Sequence, residues 1–330
     1  VLPGRKGKTM KRILFLAVLL ALLGVGCASS IPNGAAVTSF YPIYTLAEAV
    51  CAGTSIPLVN LTGAQTGCLH DYQLTTGNLR TLKQAGLFLI NGAGMENNLM
   101  ERAVQLYPAL PVVDTSQGAY LLDAHGDTVV EEEETHTVEE TTSSSDASPL
   151  FEDHHGHNHG ALNAHIWLST ANAALQAQTI ADALTAAYPD QADRLQKNSA
   201  DFTAELAALQ ETIVPAKTEV RVLSFHEAFA YLCADFGVTV AQTISIDENQ
   251  TPSARQLAAM VDAARQSQID AILCADDAGL PFAQTLSRET GVPYYILDPI
   301  TTGPASADAY LSAQTANYEI LQEVIHHAKS

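Results

Sequence analysis

Three histidines and one aspartate stand where predicted strands end or helices begin. His70 comes after the second predicted strand, His226 directly after the first predicted strand of the second half, and Asp298 after the last one; His165 immediately precedes a predicted helix. In open α/β sheets the carboxyl ends of the strands line the ligand crevice. Each residue alone is more typical of a structural hydrogen bond, but three imidazoles and one carboxylate form a ligand set that zinc accepts. The four together therefore predict a zinc site.

The elements that must position these residues are short apolar runs alternating with helical patterns. Strands are predicted at residues 36–40, 56–61, 87–91 and 111–114, and again at 220–225, 238–244, 271–275 and 294–297. This alternation predicts an α/β fold with two similar lobes, each a mainly parallel four-stranded sheet covered by helices. Two ligands from each half would place the ion in the cleft between the lobes.

A long helix is predicted between the two halves. Residues 171–188 and 190–213 keep apolar side chains at helical spacing, and Pro189 marks the boundary between them. The second stretch contains neither glycine nor proline, which favours one long, rigid connecting helix. We expect an N-terminal metal-binding lobe at 34–188, the connecting helix at 190–213 and a C-terminal metal-binding lobe at 214–330.

Residues 119–160 differ from their surroundings, since they contain an acidic run at 131–134 and the histidine-rich motif DHHGHNHG at 153–160. Low hydrophobicity and high charge predict a mobile loop outside either core. Clustered histidines in such a loop can bind zinc weakly, because ordering the loop opposes binding. A solvated spacer without a metal role is the alternative. The auxiliary zinc ligands would be His154, His155, His157 and His159. By contrast, His326 and His327 are expected to be surface residues without a metal role.

The charge and the N-terminal segment restrict the class of protein. A formal net charge of -20 repels nucleic acid and attracts cations. An apolar run at residues 13–23 follows two basic residues and ends in GVGC at 24–27, as in a signal peptide of a bacterial lipoprotein. We expect residues 1–27 to form the signal and Cys27 to be lipidated. The mature protein would be extracytoplasmic and anchored to the cell membrane; a plain cleaved signal peptide is the alternative.

Four further cysteines allow two disulfides in an exported protein. Their positions favour one pair within each half, Cys51 with Cys68 and Cys233 with Cys274. Buried free thiols are the alternative.

Several motifs carry a family resemblance. They are VTSFYPIYTLAEAV at 37–50, HDYQLT at 70–75, LINGAGMENNLME at 89–101, HIWL at 165–168, FHEAFAYL at 225–232 and LDPI at 297–300. The sequence resembles the metal-binding lipoproteins of zinc and manganese ABC importers. The resemblance implies two lobes joined by a rigid helix, with the metal held between them and passed to a membrane permease. His70, His165, His226 and Asp298 stand at the four ligand positions of the family, whereas Asn163 and Ala164 replace its usual Asp-Pro.

The third ligand position predicts the metal. In the family that this sequence resembles, the third ligand is His in zinc-type members and Glu in manganese-type members. Imidazole suits zinc better than it suits manganese. His226 therefore indicates Zn2+ as the ligand of a monomeric, non-enzymatic protein that works with an ABC permease. A manganese-binding protein of the same class is the alternative. A secreted zinc hydrolase is disfavoured because no H-E-x-x-H motif is present and Glu227 is expected to point away from the metal. Adhesion, a label attached to some relatives, has no supporting repeat or stalk.

Overall fold

The first half folds into a four-stranded parallel sheet. In the computed structural model its strands lie in the order β2-β1-β3-β4. They are β1 Ala35–Thr38, β2 Leu58–Asn60, β3 Ala85–Ile90 and β4 Val112–Asp114, and the helices between them are α1 Tyr41–Cys51, α2 Thr76–Gln84 and α3 Asn97–Leu106. A short antiparallel pair follows, β5 Leu121–Leu122 with β6 Thr128–Val129. The structure describes residues 34–63, 69, 72–123, 128–129, 162–214, 219–244, 254–276 and 279–328.

Two consecutive helices lead from the first sheet to the second. They are α4 Thr170–Ala187 and α5 Ala192–Gln210, separated by a 3-10 turn at Pro189–Gln191. The apolar face of α5 is buried through Leu195, Phe202 and Leu206, as the helical spacing predicts. The proposed lobe boundaries at 188 and 214 stay predictions.

The second half repeats the architecture of the first. Its strands are β7 Arg221–Ser224, β8 Thr239–Thr243, β9 Ala271–Cys274 and β10 Tyr294–Ile296, and its helices are α6 Phe229–Asp235, α7 Ala254–Gln266, α8 Leu280–Thr290 and α9 Ala309–His327. The strand order β10-β9-β7-β8 is the order of the first sheet read from the other edge. All pairings in both sheets are parallel, so the predicted fold of two similar α/β lobes is confirmed. Among the described residues, no helix is both long and apolar enough to cross a membrane.

One buried cluster joins the two lobes around Trp167. Its ring meets that of Phe40 edge-on, with centroids 5.2 Å apart. Its indole N–H donates to the carbonyl oxygen of Pro299 at 2.9 Å, and its own carbonyl oxygen accepts from the hydroxyl of Tyr310. Phe40 belongs to the first lobe, whereas Pro299 and Tyr310 belong to the second. The segment just before α4 is therefore packed against both lobes.

A buried carboxylate fixes the start of α4. Asp235, at the end of α6, accepts hydrogen bonds from the backbone N–H of Thr170 at 3.0 Å and from the hydroxyls of Ser169 and Tyr120 at 3.1 Å. The hydroxyl of Tyr318 adds a contact at 3.3 Å. Burial raises the pKa of Asp235, and these hydrogen bonds oppose that shift because they stabilise the charged form. A carboxylate at a helix N-terminus is also favoured by the helix dipole.

Residues 119–123 correct the predicted extent of the acidic loop. Leu122 is only 2% exposed, and the ring of Tyr120 contacts that of Tyr231 with centroids 5.6 Å apart. Asp123 then forms a β-bridge with Leu162. The prediction that the whole of 119–160 stays outside the core is wrong at this end, because these first residues carry apolar side chains that pack on the second lobe. Residues 130–161 lie outside the described part of the chain.

The predicted disulfide between Cys233 and Cys274 is wrong. Cys51, Cys233 and Cys274 are all buried free thiols. Cys233 packs in the cluster that contains Val222, whereas Cys274 packs in the separate cluster that contains Leu223. Successive residues of a strand face opposite sides of the sheet, so the two thiols lie on different sides of it. Burial raises the pKa of both the Cys51 and the Cys233 thiol to about 12, which makes them unreactive. Cys68, the partner predicted for Cys51, lies outside the described residues.

Candidate metal centre

His226 lies where a buried strand of the second sheet ends. Residues 222–224 of β7 are buried, and the turn after them is closed by Ser224, whose hydroxyl donates to the carbonyl oxygen of His226 at 2.6 Å. The imidazole is half-buried, and its Nδ1 accepts a hydrogen bond from the backbone N–H of Ala228 at 3.0 Å. A neutral ring that accepts at Nδ1 carries its proton on Nε2. Zinc binding at either nitrogen must therefore replace the hydrogen bond from Ala228.

His165 is fully buried and held in one tautomer by Asn163. The Asn163 side chain donates through Nδ2 to the carbonyl oxygen of Glu227 at 2.9 Å, and its Oδ1 accepts the backbone N–H of His165 at 3.0 Å. These two backbone partners fix which end of the amide is oxygen. The His165 Nδ1 atom, 3.0 Å from the same Oδ1, must therefore be the proton donor. The neutral ring therefore carries its electron pair on Nε2, the nitrogen through which it would bind a metal ion.

The two imidazoles meet in the structure. The ring centroids of His165 and His226 lie 5.2 Å apart, with their planes at 87°. Zinc sits about 2.0–2.1 Å from each donor nitrogen, so one ion can be reached by both rings after a small movement. His165 also contacts Trp167, with ring centroids 5.1 Å apart, which connects this pair to the core shared by the two lobes.

Glu227 lies beside His165, on the Nδ1 side of its ring. Its Oε1 atom lies 3.9 Å from Nδ1 of His165, and its side chain is 25% exposed. This nitrogen is not Nε2, through which His165 would bind the metal, so the expectation that Glu227 points away from the metal stays a prediction. The negative charge of Glu227 adds to the attraction of the site for a cation.

Asp298 is fixed beyond the last strand of the second sheet. Its backbone N–H donates to Oδ1 of Asn317 on α9 at 2.8 Å, and its carbonyl oxygen accepts from Nδ2 of the same residue at 2.8 Å. The residue is exposed, yet surrounding protein removes enough water from the carboxylate to raise its pKa, against the hydrogen bond from Ile300 N–H at 2.7 Å. The next residue, Pro299, binds Trp167, which places Asp298 at the edge of the same core.

The predicted four-ligand set is only partly brought together in the described residues. His165 and His226 are in contact, but no three His, Cys, Asp or Glu side chains in the described ranges lie close enough to hold a metal. His70 lies outside these ranges, as do Cys27 and the four histidines of the 153–160 motif. The ligand set thus stays a prediction. His326 and His327 are exposed at the end of α9.

A family match decides which class of protein this is. The family described as zinc-uptake complex component A, periplasmic (ZnuA), matches residues 36–324. The chain belongs to this family. The predicted resemblance to the zinc-type metal-binding proteins of ABC importers is therefore confirmed. The match spans both sheets and includes His165, His226 and Asp298.

Relatives in the ZnuA family differ in length. The zinc-binding lipoprotein AdcA of Streptococcus pneumoniae is 28% identical over 325 residues, a match that covers 95% of this chain but 61% of the relative. The chain thus spans about three fifths of that protein. The high-affinity zinc uptake system protein ZnuA of Bacillus subtilis is 25% identical, with 87% of this chain and 88% of the relative covered.

Solved structures agree on the fold. The Zn(II)-bound ZnuA-like domain of Streptococcus pneumoniae AdcA superposes with a TM-score of 0.67 at 23% identity, covering 89% of this chain and 99% of that domain. The substrate-binding protein FpvC of Pseudomonas aeruginosa, in complex with Ni2+, gives a TM-score of 0.71 at 20% identity, covering 90% and 98%. At these identities the likeness shows a common two-lobed fold.

A buried glutamate supports the segment that carries His165 through a chain of hydrogen bonds. Glu96 is 2% exposed and accepts hydrogen bonds from the hydroxyl of Ser39 and the backbone N–H of Asn91, both at 2.7 Å. The side chain of Asn91 in turn donates to the carbonyl oxygen of Ala164 at 2.9 Å. Burial raises the pKa of Glu96 to about 7, although the hydrogen bonds that its carboxylate accepts, including one from the N–H of Gly92, act to lower the pKa.

Glu96 should make the zinc-free protein less stable as the pH rises. Its folded pKa of about 7 lies above the ordinary value of 4.5, so the folded state holds a proton that the unfolded state releases. The stabilisation is complete below about pH 4.5 and is lost as the pH passes about 7, an effect on the order of 3 kcal/mol. The free energy of unfolding of Glu96→Gln, measured with denaturant, should lack this fall with pH. The exposed control Glu101→Gln should show the same fall as wild type. Equal slopes in both variants would contradict the assignment.

Proposed function

We propose that the protein captures Zn2+ between its two lobes and delivers it to the permease of an ABC importer. The main support is the contact between His165 and His226, which come from different segments. His165 is buried and His226 is half-buried, and their ring centroids lie 5.2 Å apart. Imidazole nitrogens are ligands that zinc accepts. His70 and Asp298 would complete the tetrahedral set.

Zinc is favoured over manganese by the ligands that the proposal uses. Manganese prefers carboxylate and water oxygens, whereas imidazole binds zinc more strongly. Manganese is the second candidate because the proposed ligands include the carboxylate of Asp298, and carboxylates are what manganese prefers; a second carboxylate, that of Glu227, lies 3.9 Å from Nδ1 of His165. The protein FpvC, which shares this fold, is known in complex with Mn2+. The competition experiment described next can be repeated with other divalent ions of similar size in place of manganese.

Competition between the two metals tests the proposal. The purified chain is titrated with Zn2+ against a chelating dye, with and without a large excess of Mn2+. We expect one tight zinc equivalent that manganese does not displace, because zinc stands above manganese in affinity for nitrogen ligands. Displacement of zinc by manganese, or the lack of any tight zinc equivalent, would contradict the proposed function.

Delivery to a permease requires that the protein stays near the membrane. We propose that Cys27 carries the lipid and holds the mature protein, as a monomer, on the outer face of the cytoplasmic membrane. A single acyl chain binds membranes only marginally, so retention needs the several chains of a bacterial lipoprotein. In cells that express Cys27→Ala, we expect the protein in the soluble extracytoplasmic or culture fraction, measured by immunoblotting of fractions. Unchanged retention in the membrane fraction would rule out this anchor.

The histidine-rich motif should add only weak zinc sites. Deleting residues 130–159 removes the motif but spares β6 and the described segment that begins at Leu162. Calorimetric titration should lose its weak phase and keep the tight one, because clustered histidines in a polar, charged segment bind zinc weakly and the proposed main site lies elsewhere. A second variant, with asparagine replacing His154, His155, His157 and His159, keeps the loop length and should behave alike. Loss of the tight phase in either variant would place the main site in the loop.

A further inference from the structure

We propose that Asn163 is a positioning residue that couples the two histidines of the metal centre through one side-chain amide. The consequence for zinc rests on the proposed function, whereas the effect on the His165 ring can be measured without zinc. Asn163 would hold His165 in its metal-ready tautomer and, with the other end of the amide, hold the turn that carries His226.

Every polar group of Asn163 is engaged in this role. Its side chain is only 2% exposed; Oδ1 accepts from the backbone N–H and from Nδ1 of His165, both at 3.0 Å, and Nδ2 donates to the carbonyl oxygen of Glu227 at 2.9 Å. Its backbone N–H donates to Leu122 at 2.7 Å, and its carbonyl oxygen accepts from the hydroxyl of Tyr231 at 2.7 Å. Asn163 is therefore fixed by the second lobe and by the first residues of the insertion.

The bridge needs an amide and not a carboxylate. An aspartate at this position would still accept from His165, but it has no proton to donate to the Glu227 carbonyl oxygen. Two oxygens would then face each other in a buried place, close to the carboxylate of Glu227. The turn that carries His226 would lose its link to the segment of His165.

The link fixes the separation of the ligands before the metal arrives. Glu227 directly follows His226, so the hydrogen bond from Nδ2 holds the ring of His226 near that of His165. Preformed ligand geometry reduces the ordering that binding must accomplish. Loss of partners that orient metal ligands lowers metal affinity by about 10–100-fold. We therefore expect this loss in variants that break the bridge, although Asn163 itself binds no metal.

Nitrogen NMR of the zinc-free full chain tests the first half of the role. With 15N-labelled histidine, at an alkaline pH where imidazoles are neutral, wild type should show His165 protonated at Nδ1. Asn163→Asp should keep this tautomer, since it keeps the acceptor, whereas Asn163→Ala should shift the ring toward protonation at Nε2. The matched control Asn198→Asp removes an amide on α5 that donates to the backbone carbonyl oxygens of Val50 and Ala52, and it should leave the tautomer unchanged.

Zinc competition on the same variants tests the second half. Asn163→Asp and Asn163→Ala should both bind zinc about 10–100-fold more weakly than Asn198→Asp does. If Asn163→Ala does not fold, Asn163→Leu, which is similar in shape and has neither a donor nor an acceptor, replaces it. An unchanged tautomer in the variant without the acceptor, or unchanged affinity in Asn163→Asp, would overturn the proposal. Failure of wild type itself to bind zinc would instead overturn the proposed function, while the tautomer result would still decide the role of Asn163.

Discussion

Replacing His165 by alanine should abolish tight zinc binding, with affinity lowered by more than about 100-fold. Loss of a residue that merely orients a ligand costs about 10–100-fold, so loss of the ligand itself should exceed that range. The tautomer of His165 already places the electron pair on Nε2, whereas His226 accepts a hydrogen bond at Nδ1. Zinc affinity would be measured by competition with a chelating dye in the chain that lacks residues 130–159, which removes weak sites from the signal.

Two controls separate ligand loss from damage to the fold. His165 is fully buried, so its removal leaves a cavity; the thermal midpoint of the zinc-free variant shows how much stability this costs. His326→Ala changes an exposed histidine far along the chain and should bind zinc as wild type does. A folded His165→Ala protein that keeps wild-type zinc affinity would exclude His165 from the site.

His226→Glu should shift the metal preference from zinc toward manganese. Exchange of imidazole for carboxylate supplies the oxygen ligand that manganese prefers, and His226 is the position at which zinc-type and manganese-type proteins differ in the resembling family. The shift should be incomplete, because zinc stands above manganese in affinity at most such sites and the surrounding contacts stay unchanged. His226→Ala should weaken the binding of zinc more than the binding of manganese. Competition titrations with both metals give the ratio of the two affinities directly.

The pH dependence provides an internal check on His226. Zinc must displace protons from imidazole, whose ordinary pKa is about 6.5, so wild-type affinity should fall as the pH drops below that value. The glutamate variant has one fewer imidazole and should lose less affinity over the same interval. An unchanged zinc-to-manganese ratio together with an unchanged pH dependence would mean that His226 does not bind the ion.

The two lobes were predictable because their strands are short apolar runs bounded by turns. The predicted strand at 87–91 is a case in point: the structure has β3 at Ala85–Ile90. Its first two residues, alanine and glycine, have low strand propensity, and pairing of Ala85 with Ala35 on β1 extends the strand over them. Local sequence fixes where a strand exists, whereas its ends depend on the neighbouring strand.

Contacts between distant segments were not predictable from the sequence. Asn163 and Glu227 are 64 residues apart, and nothing in either local pattern indicates that one amide joins them. The role of Asp235 depends on Tyr120 and Tyr318, which come from other elements. The cysteine error has the same cause, since only the packing of the helix that carries Cys233 shows that it lies on the side of the sheet opposite Cys274. Proximity in sequence was the wrong guide to pairing there.

Anomalous diffraction at the zinc edge would locate the bound ion. Crystals of the chain loaded with one equivalent of zinc would be measured above and below the absorption edge. We expect one dominant peak about 2.0–2.1 Å from a ring nitrogen of His165 and of His226, with His70 and Asp298 completing the shell and the hydrogen bond from Ala228 to His226 broken. A dominant peak that contacts neither His165 nor His226 would contradict this expectation.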